Sequence, residues 1–392
     1  MRSPHDDQPH RAHRSLELAP TLYATSERDD ARALVVIFLR GGADGLALIP
    51  PIDDDAYHTA RPTIGIASRD AIRLDDRFGL HPRLAPLQPL FAAGQLGVVH
   101  AVGSDDSTRS HFEAQDHMEQ GGTTAGGWLG RFLRARDASA PGALSAVAIG
   151  TELPQSLRGA PSAAVVRNLD DFSIGVERPQ MRQAIAALYA NEQGTLGSLL
   201  ADASRDTVRA LERSAAMQRE SARPANGAEY PADEFGRGLA DIARLIKGRV
   251  GLSVATIDLG GWDSHFTQGS VIEPLMDRLA RGLAAFHTDL GASRMAQTTV
   301  VVMTEFGRRV AENASRGTDH GRGSVMLTLG AGAAGGRVRA DWRGLASGLL
   351  EGPGDVPVTT DFRDVLAPIL HLHGAPALSS VFPGRVSAAT HG

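Results

Sequence analysis

Six short apolar runs recur along the chain and are separated by stretches whose apolar residues repeat at helical spacing. The runs are rich in Val and Ile and are apolar at successive positions, over residues 34–39, 96–101, 146–149, 253–258, 298–303 and 325–330. Continuous apolarity is typical of strands that are covered on both faces. The helical patterns between them cover 82–93, 110–120, 272–289 and 361–373. We therefore predict an α/β fold, a doubly wound and mostly parallel sheet with helices on both sides.

No strand signal occurs between about residues 178 and 249. Apolar residues recur there at helical spacing in two segments, Leu196, Leu200, Val208, Leu211 and Phe235, Leu239, Ile242, Ile246. We interpret 178–249 as a helical insertion that lies over or beside the functional site as a lid; the alternative is a remote packing element. The start of the chain is polar, so residues 1–30 are expected to form a disordered leader before one α/β domain over 31–392.

Composition narrows the possible partners. A formal net charge of −5 gives no electrostatic basis for binding nucleic acid. No run approaches the roughly 20 apolar residues that a membrane span requires. The chain has no Cys, which excludes thiolate metal sites and a cysteine nucleophile. We expect a cytoplasmic protein that binds neither nucleic acid nor membrane, and the oligomeric state stays open.

Polar and charged side chains gather directly after the predicted strands. Carboxyl ends of parallel strands meet at one edge of a sheet, so these side chains are expected to converge on a single cleft. Taken alone, each motif is compatible with an ordinary polar turn, and Ser110 in isolation is better explained as a helix cap in an S-x-x-E capping box. Recurrence after successive strands favours a shared site. The candidates are Arg40, Asp44, Thr108, Arg109, Ser110, Asp263, His265, Glu305, Asp319 and His320.

The candidate residue types indicate metal chemistry on an anionic substrate. Carboxylate oxygens mixed with imidazole nitrogens suit zinc, manganese or iron, and zinc or manganese is favoured over magnesium. The candidate ligands are Asp44, Asp263, His265, Glu305, Asp319 and His320, for one or two ions. Ser110 at a helix start, with Arg40 and Arg109 nearby, would favour a phosphate or sulfate ester.

Several motifs together resemble one known family. The segments "FLRGGADGL", "HAVGSDDSTRSHFEAQD", "GGWDSH", "MTEFGRR" and "GTDHGRGSVMLTLG" resemble the bacterial family of domain of unknown function 1501, a branch of the alkaline phosphatase and sulfatase superfamily. The resemblance runs from about residue 33 to about 373. It implies an alkaline phosphatase-like fold with metal ligands at Asp44, Asp263, His265 and His320. It also implies a nucleophile at Ser110, with Thr108 as second choice.

The chain departs from the superfamily pattern in two places that bear on the metal site. The usual D-x-x-x-H spacing is shortened to D-x-H at Asp263 and His265, and Glu305-Phe306 replaces an Asp-His pair. The second change removes an imidazole, so the number of ions stays open between none, one and two. No C-x-P-x-R or S-x-P-x-R signature occurs, so a formylglycine sulfatase is not expected.

Three functions remain open. The first is a metal-dependent hydrolase or transferase of a small phosphate or sulfate ester, in which Ser110 is the nucleophile. In the second, water attacks directly and Ser110 is only a ligand or a cap. The third is a non-catalytic binding or assembly protein that keeps the fold without turnover. The sequence favours an enzyme over the binding protein.

Overall fold

The computed structural model of the protein describes residues 32–136, 142–170 and 223–385. Its strands within these ranges are β1 Ala33–Arg40, β2 Ile72–Arg73, β3 Gly79–Leu80, β4 Leu96–Gly103, β5 Ala146–Ile149, β6 Ala164–Val166, β7 Val254–Gly260, β8 Thr298–Thr304, β9 Ser324–Gly330, β10 Val338–Arg339 and β11 Thr360–Asp361. The six predicted strands are β1, β4, β5, β7, β8 and β9. Their continuous burial matches the continuous apolarity of the runs.

The helices of the same ranges are α1 Gly45–Leu48, α2 Asp55–Ala60, α3 Gln88–Ala92, α4 His111–Gln120, α5 Trp128–Ala135, α6 Glu234–Lys247, α7 Gln268–Met295, α8 Phe362–Leu372 and α9 Leu378–Val381. The pattern predicted for 82–93 is a 3₁₀ turn over Pro82–Leu87 that continues into α3. None of the described helices has the length and apolarity to cross a membrane.

One large sheet organises the described residues. Its strand order is β10-β4-β9-β8-β1-β7-β5-β6, and β11 also pairs with β4. Strand β9 runs antiparallel to β4 and β8, whereas the other pairs of this sheet are parallel. The predicted mostly parallel sheet is thus confirmed. Because β9 is reversed, the whole connection from the end of β8 to the start of β9 lies at the carboxyl edge.

Apolar side chains cover both faces of this sheet. Successive residues of β1 point to opposite faces, so Val35 and Ile37 join one core cluster while Val36 joins the other. Helices α6 and α7 pack in the first cluster, and helices α4, α5 and α8 pack in the second. Burial on both sides explains why the strands show no polar alternation.

The second half of the predicted insertion forms helix α6, which covers the sheet. Its residues Phe235, Leu239 and Ile242 are buried in the core. A Cβ atom at Gly238 would lie 2.5 Å from Cδ1 of Ile257 in β7, so this helix approaches the strand closely. The first segment, with Leu196 and Val208, lies outside the described residues, as does the predicted leader. The lid therefore stays a prediction.

Candidate metal centre

Glycines allow the loops after β1 and β7 to touch at the carboxyl edge. Arg40 of β1 pairs with Gly260 of β7, so the two strands end level with each other. Gly41 then has φ = +117°, and a Cβ atom on it would lie 2.5 Å from the backbone nitrogen of Asp263. A side chain at this position would push the loops apart. The close approach carries Asp263 toward the connection between β8 and β9.

Three histidines surround the carboxylate of Asp263. Nε2 of His265 lies 3.1 Å and Nε2 of His320 lies 3.4 Å from Oδ1 of Asp263. Nε2 of His111 lies 3.6 Å from Oδ2 of the same carboxylate. The Nε2 atoms of His265 and His320 are 2.9 Å apart. These four residues, His111, Asp263, His265 and His320, are called the His₃Asp cluster below.

Each histidine of the cluster has an acceptor at its other ring nitrogen. Nδ1 of His111 lies 2.8 Å from Oε1 of Glu305, and Nδ1 of His320 lies 2.9 Å from the carbonyl oxygen of Arg109. Nδ1 of His265 lies 3.4 Å from Oδ1 of Asp319. An acceptor at Nδ1 places the proton there and leaves the Nε2 lone pair free for a metal ion. The Nε2 atoms of His265 and His320 also share one hydrogen bond with each other, and a metal ion would take the place of the proton between them.

An unsatisfied nitrogen supports a metal at this position. Nε2 of His111 is buried and has no hydrogen-bond partner among the described residues. A buried polar atom without a partner is costly, and a cation at the cluster would satisfy it. Ligand atoms of His111, Asp263 and His320 all lie within 4.8 Å of one another. Imidazoles combined with one carboxylate form a donor set that suits zinc or manganese, so the residues fit a divalent metal ion.

Neighbouring groups set the protonation of these side chains. Burial alone would raise the pKa of Glu305, but hydrogen bonds from His111, Gln115 and Gly41 outweigh it and hold that pKa below its ordinary value. The hydrogen bond to Glu305 in turn raises the pKa of His111. Burial lowers the pKa of His320, which favours its neutral, metal-binding form.

Arg308 joins the cluster to the surrounding loops through hydrogen bonds. Its guanidinium is fully buried and donates to the carbonyl of Gly42 at 2.7 Å and of Thr318 at 3.0 Å, and also to the carbonyl of Gly41. Nη2 donates to Oδ1 of Asp263 at 2.7 Å. Burial opposes ionisation of Asp263, but this hydrogen bond and charge keep its pKa below the ordinary value.

Ser110 adjoins the cluster with an uncommitted hydroxyl. It is the N-cap residue of α4, yet its side chain makes no capping hydrogen bond, so the alternative of a capping box is not formed. Arg109 before it adopts φ = +56° and presents its carbonyl to His320, and His111 follows it directly. The hydroxyl of Thr108 is already committed, because it donates to Asp106 at 2.9 Å.

Asp44 does not join the His₃Asp cluster. It is fully buried, caps α1 by accepting from the backbone N–H of Leu46, and forms an ion pair with Arg61 at 2.5 Å. Nε2 of Gln268 donates to its Oδ2 at 2.7 Å. The carboxylate is thus occupied by structural hydrogen bonds. Arg61 and Gln268 carried no signal in the sequence pattern.

The two arginines expected to attract an anion are both paired. Nη2 of Arg40 lies 2.7 Å from Oε1 of Glu119, and its Nε lies 2.6 Å from Oδ2 of Asp258. Nε of Arg109 donates to the buried Asp355 at 2.8 Å. Neither guanidinium is free in this structure to bind an ester.

The cluster thus differs in membership from the set suggested by the sequence. Asp263, His265 and His320 come together as expected. Glu305 and Asp319, which the sequence predicted as ligands, instead lie against the Nδ1 atoms of His111 and His265. His111 was missed, because its position after Ser110 suggested only a helix start. The available signal was an imidazole on the first turn of a helix that follows a strand at the same edge.

One comparison with known proteins identifies the family of the chain. The family model described as "Protein of unknown function (DUF1501)" matches residues 31–384. No match was found among the curated proteins. Among solved structures, alkaline phosphatase from the Antarctic bacterium TAB5 aligns with 78% of this chain and 94% of its own, at 12% identity and a TM-score of 0.27. A likeness of that size carries no argument about fold or activity. The match over nearly all of the described residues means that the chain belongs to the DUF1501 family.

Proposed function

We propose that the protein is a metal-dependent hydrolase or transferase that acts on a small phosphate or sulfate ester. One observation carries the proposal: three imidazoles, each with an acceptor at Nδ1, direct Nε2 toward the single carboxylate of Asp263. Three unrelated polar turns would not be expected to direct three Nε2 atoms toward one carboxylate. The resemblance of the sequence motifs to the alkaline phosphatase and sulfatase superfamily supports the same reaction class.

The His₃Asp cluster would hold one divalent ion, with zinc or manganese favoured by its donors. A bound ion would act as a Lewis acid that polarises an oxygen of the phosphate or sulfate group. Glu305 and Asp319 orient two of the imidazoles, and the carbonyl of Arg109 orients the third. Partners of this kind commonly strengthen metal binding 10- to 100-fold.

Ser110 is the proposed nucleophile. Its hydroxyl oxygen would form a bond to phosphorus or sulfur while the bond to the ester oxygen breaks, and the hydroxyl proton would pass through water to that oxygen, which leaves as the alcohol. Water would then release the acid in a hydrolase, whereas a second alcohol would accept the group in a transferase. The first backbone N–H groups of α4 and its positive dipole end favour an anion beside Ser110.

A second mechanism uses the same cluster without covalent chemistry. Water would attack the ester directly, and Ser110 would only orient the substrate through its hydroxyl. Because Ser110 makes no hydrogen bond to a side-chain base among the described residues, both mechanisms remain proposals. Replacement of Ser110 distinguishes them.

A non-catalytic metal-binding protein is the alternative function. One specific observation favours it: Arg40 pairs with Glu119 and Asp258, and Arg109 pairs with Asp355. Binding of an anionic ester would therefore depend on the ion and on backbone N–H groups. Such a protein would bind the metal with the same residues but would not turn over esters.

Metal analysis followed by an activity screen tests the proposal. Protein stripped with a chelator would be titrated with zinc and with manganese by calorimetry, then assayed against aryl and alkyl phosphate and sulfate esters. We expect metal binding together with hydrolysis of at least one ester class. Metal binding without turnover of any ester would favour the binding protein. Protein that takes up neither ion would contradict both functions.

A further inference from the structure

We infer that Gln268 is a positioning residue for the proposed metal centre. It ties together the two loops that supply the ligands after β7 and before β9. The first, called the 263 loop, covers residues 261–267 and includes Asp263 and His265. The second, called the 320 loop, covers residues 305–323 and includes His320. This inference rests on the proposed function and names a residue outside the His₃Asp cluster.

Both ends of the Gln268 side chain are occupied. The residue begins helix α7 and is only 2% exposed. Its Oε1 accepts from the hydroxyl of Ser264 at 3.1 Å and from the hydroxyl of Thr318 at 2.6 Å. Its Nε2 donates to Oδ2 of Asp44 at 2.7 Å. One amide group therefore joins three segments of the chain.

The orientation of this amide follows from its partners. The carboxylate of Asp44 is paired with Arg61 and acts only as an acceptor, so it must face the NH₂ group of Gln268. The carbonyl end then faces Ser264 and Thr318, whose hydroxyl groups can donate. An amide turned the other way would oppose an acceptor to an acceptor at Asp44. Only one arrangement satisfies all the partners.

The two hydroxyl partners lie beside the metal ligands in the chain. Ser264 stands between Asp263 and His265, and Thr318 stands two residues before His320. A displacement of either hydroxyl would move the neighbouring ligands. Because Oε1 of Gln268 binds both hydroxyls, it fixes the spacing between the 263 loop and the 320 loop.

Backbone contacts confirm that the two loops meet closely. The N–H of Thr318 donates to the carbonyl of Ser264 at 3.0 Å. A Cβ atom on Gly317 would lie 2.1 Å from the carbonyl oxygen of His265, so only glycine allows this approach. The N–H of Gln268 itself donates to the carbonyl of Arg316 at 2.8 Å. The side chain of Gln268 adds to these backbone contacts, and Arg308 also bridges the two loops by donating to Thr318 and Asp263.

The Asp44 end of the Gln268 hydrogen-bond network is anchored in the interior of the protein. Both Asp44 and Arg61 have fully buried side chains, and Arg61 also donates to the carbonyl of Val310 at 2.8 Å. A paired carboxylate at this depth has little freedom to move. Asp44 therefore supports the metal centre through Gln268, which gives it a role although it lies outside the cluster.

The variant Gln268→Met tests this inference. Methionine keeps the length of an unbranched side chain but removes both polar ends. We expect zinc to bind the metal-free variant about 10-fold or more weakly than wild type in a calorimetric titration, because loosened support at a metal site commonly weakens affinity by that order. The matched control is Tyr230→Phe, which removes a hydrogen bond to the buried Asp289 farther along α7. The control should lower thermal stability without changing zinc affinity.

A finer pair of variants separates positioning from folding. Thr318→Val removes the hydroxyl with little change of shape, whereas Thr318→Ser keeps it. Zinc affinity should fall in the valine variant and return toward the wild-type value in the serine variant. These two Thr318 variants still test the inference if Gln268→Met fails to fold.

The outcomes are distinct. Wild-type affinity in both Gln268→Met and Thr318→Val would overturn the positioning role while leaving the proposed metal centre intact. An equal loss of zinc affinity in Tyr230→Phe would mean that the loss in Gln268→Met comes from general destabilisation. That result would also overturn the positioning role. Wild-type protein that binds neither zinc nor manganese would overturn the proposed function and this inference together.

Discussion

Nδ1 of His111 lies 2.8 Å from Oε1 of Glu305, although 194 residues separate them in the chain. The Glu305 side chain is fully buried, and Gly41, Gln115 and Thr304 also donate to it. These hydrogen bonds fix the carboxylate, and the carboxylate fixes the imidazole. Nε2 of His111 is thereby directed toward Asp263, which is the arrangement expected of a metal ligand with an outer carboxylate.

Glu305→Gln should weaken metal binding without removing a ligand. A glutamine cannot accept hydrogen bonds from all of the surrounding donors, so the Nδ1–H of His111 loses its fixed acceptor. We expect zinc affinity to fall about 10- to 100-fold in a calorimetric titration of the metal-free protein. The matched control is Glu312→Gln, at a carboxylate that accepts from the backbone of Thr63. If both variants bind zinc like wild type, the orienting role of Glu305 is wrong.

His265→Ala should remove a ligand outright. We expect the purified variant to contain less metal than wild type by elemental analysis and to lose ester hydrolysis, while circular dichroism stays unchanged. The residue lies at the rim of the sheet and contributes little to the core. His287→Ala, at a half-buried position on α7, is the control and should retain its metal. A full complement of metal in His265→Ala would exclude this histidine from the site.

His111→Ala gives a second, sharper test, because His111 entered the cluster only through the structure. Its buried Nε2 has no hydrogen-bond partner among the described residues, so the metal ion is its expected partner. The loss of metal should match that of His265→Ala. Unchanged zinc affinity in calorimetry would show that the ion binds elsewhere.

Ser110→Ala should separate nucleophilic from direct attack. If Ser110 forms the covalent intermediate, turnover should fall on the order of 1,000-fold or more while zinc affinity stays at the wild-type value. Ser107→Ala, at an exposed serine three residues earlier, is the neighbouring control. Turnover reduced by less than about 10-fold in Ser110→Ala would favour direct attack by water.

Two buried histidines remote from the cluster should make stability depend on pH. Burial lowers the pKa of His100 to about 4 and the pKa of His373 to about 4, against 6.5 for an ordinary histidine. Between these values the unfolded chain binds more protons than the folded chain. The stabilisation is therefore complete above about pH 6.5 and is lost as the pH falls toward about 4.

The measurement is urea unfolding of the metal-free protein at about pH 7.5 and about pH 5. The free energy of unfolding should be lower at the acidic pH, and His373→Gln should reduce the difference. His371→Gln, an exposed position at the end of α8, serves as the control. An unchanged pH dependence in His373→Gln would contradict the assignment to this residue.

Arg61→Met should destabilise the fold strongly. It leaves Asp44 as an uncompensated charge in the interior, where both partners have fully buried side chains. Breaking such a pair costs about 3–5 kcal/mol of unfolding free energy. Arg73→Met breaks a half-exposed pair with Asp53 and should cost much less, because solvent screens that pair. Similar losses for the two variants in chemical denaturation would contradict the structural role of Asp44.

Local sequence determined the strands and the edge at which the site lies. Continuous apolar runs such as 34–39 and 298–303 form strands because both faces of the sheet are covered. Residues directly after parallel strands must lie at the carboxyl edge, which is why Asp263 and Glu305 were found as candidates. The pattern did not indicate that β9 is antiparallel, since strand direction depends on the connection and not on the run itself.

Only the tertiary structure decided what each polar residue contacts. Glu305 faces Nδ1 of His111, and Asp44 turns into the interior because Arg61 and Gln268 occupy its oxygens. Those partners come from distant segments, so no local spacing encodes them. The sequence around a carboxylate or an imidazole looks the same whether that side chain becomes a metal ligand, an ion-pair partner or a helix cap. Packing of the loops selects among these roles, because it determines which donors and acceptors lie within hydrogen-bonding distance.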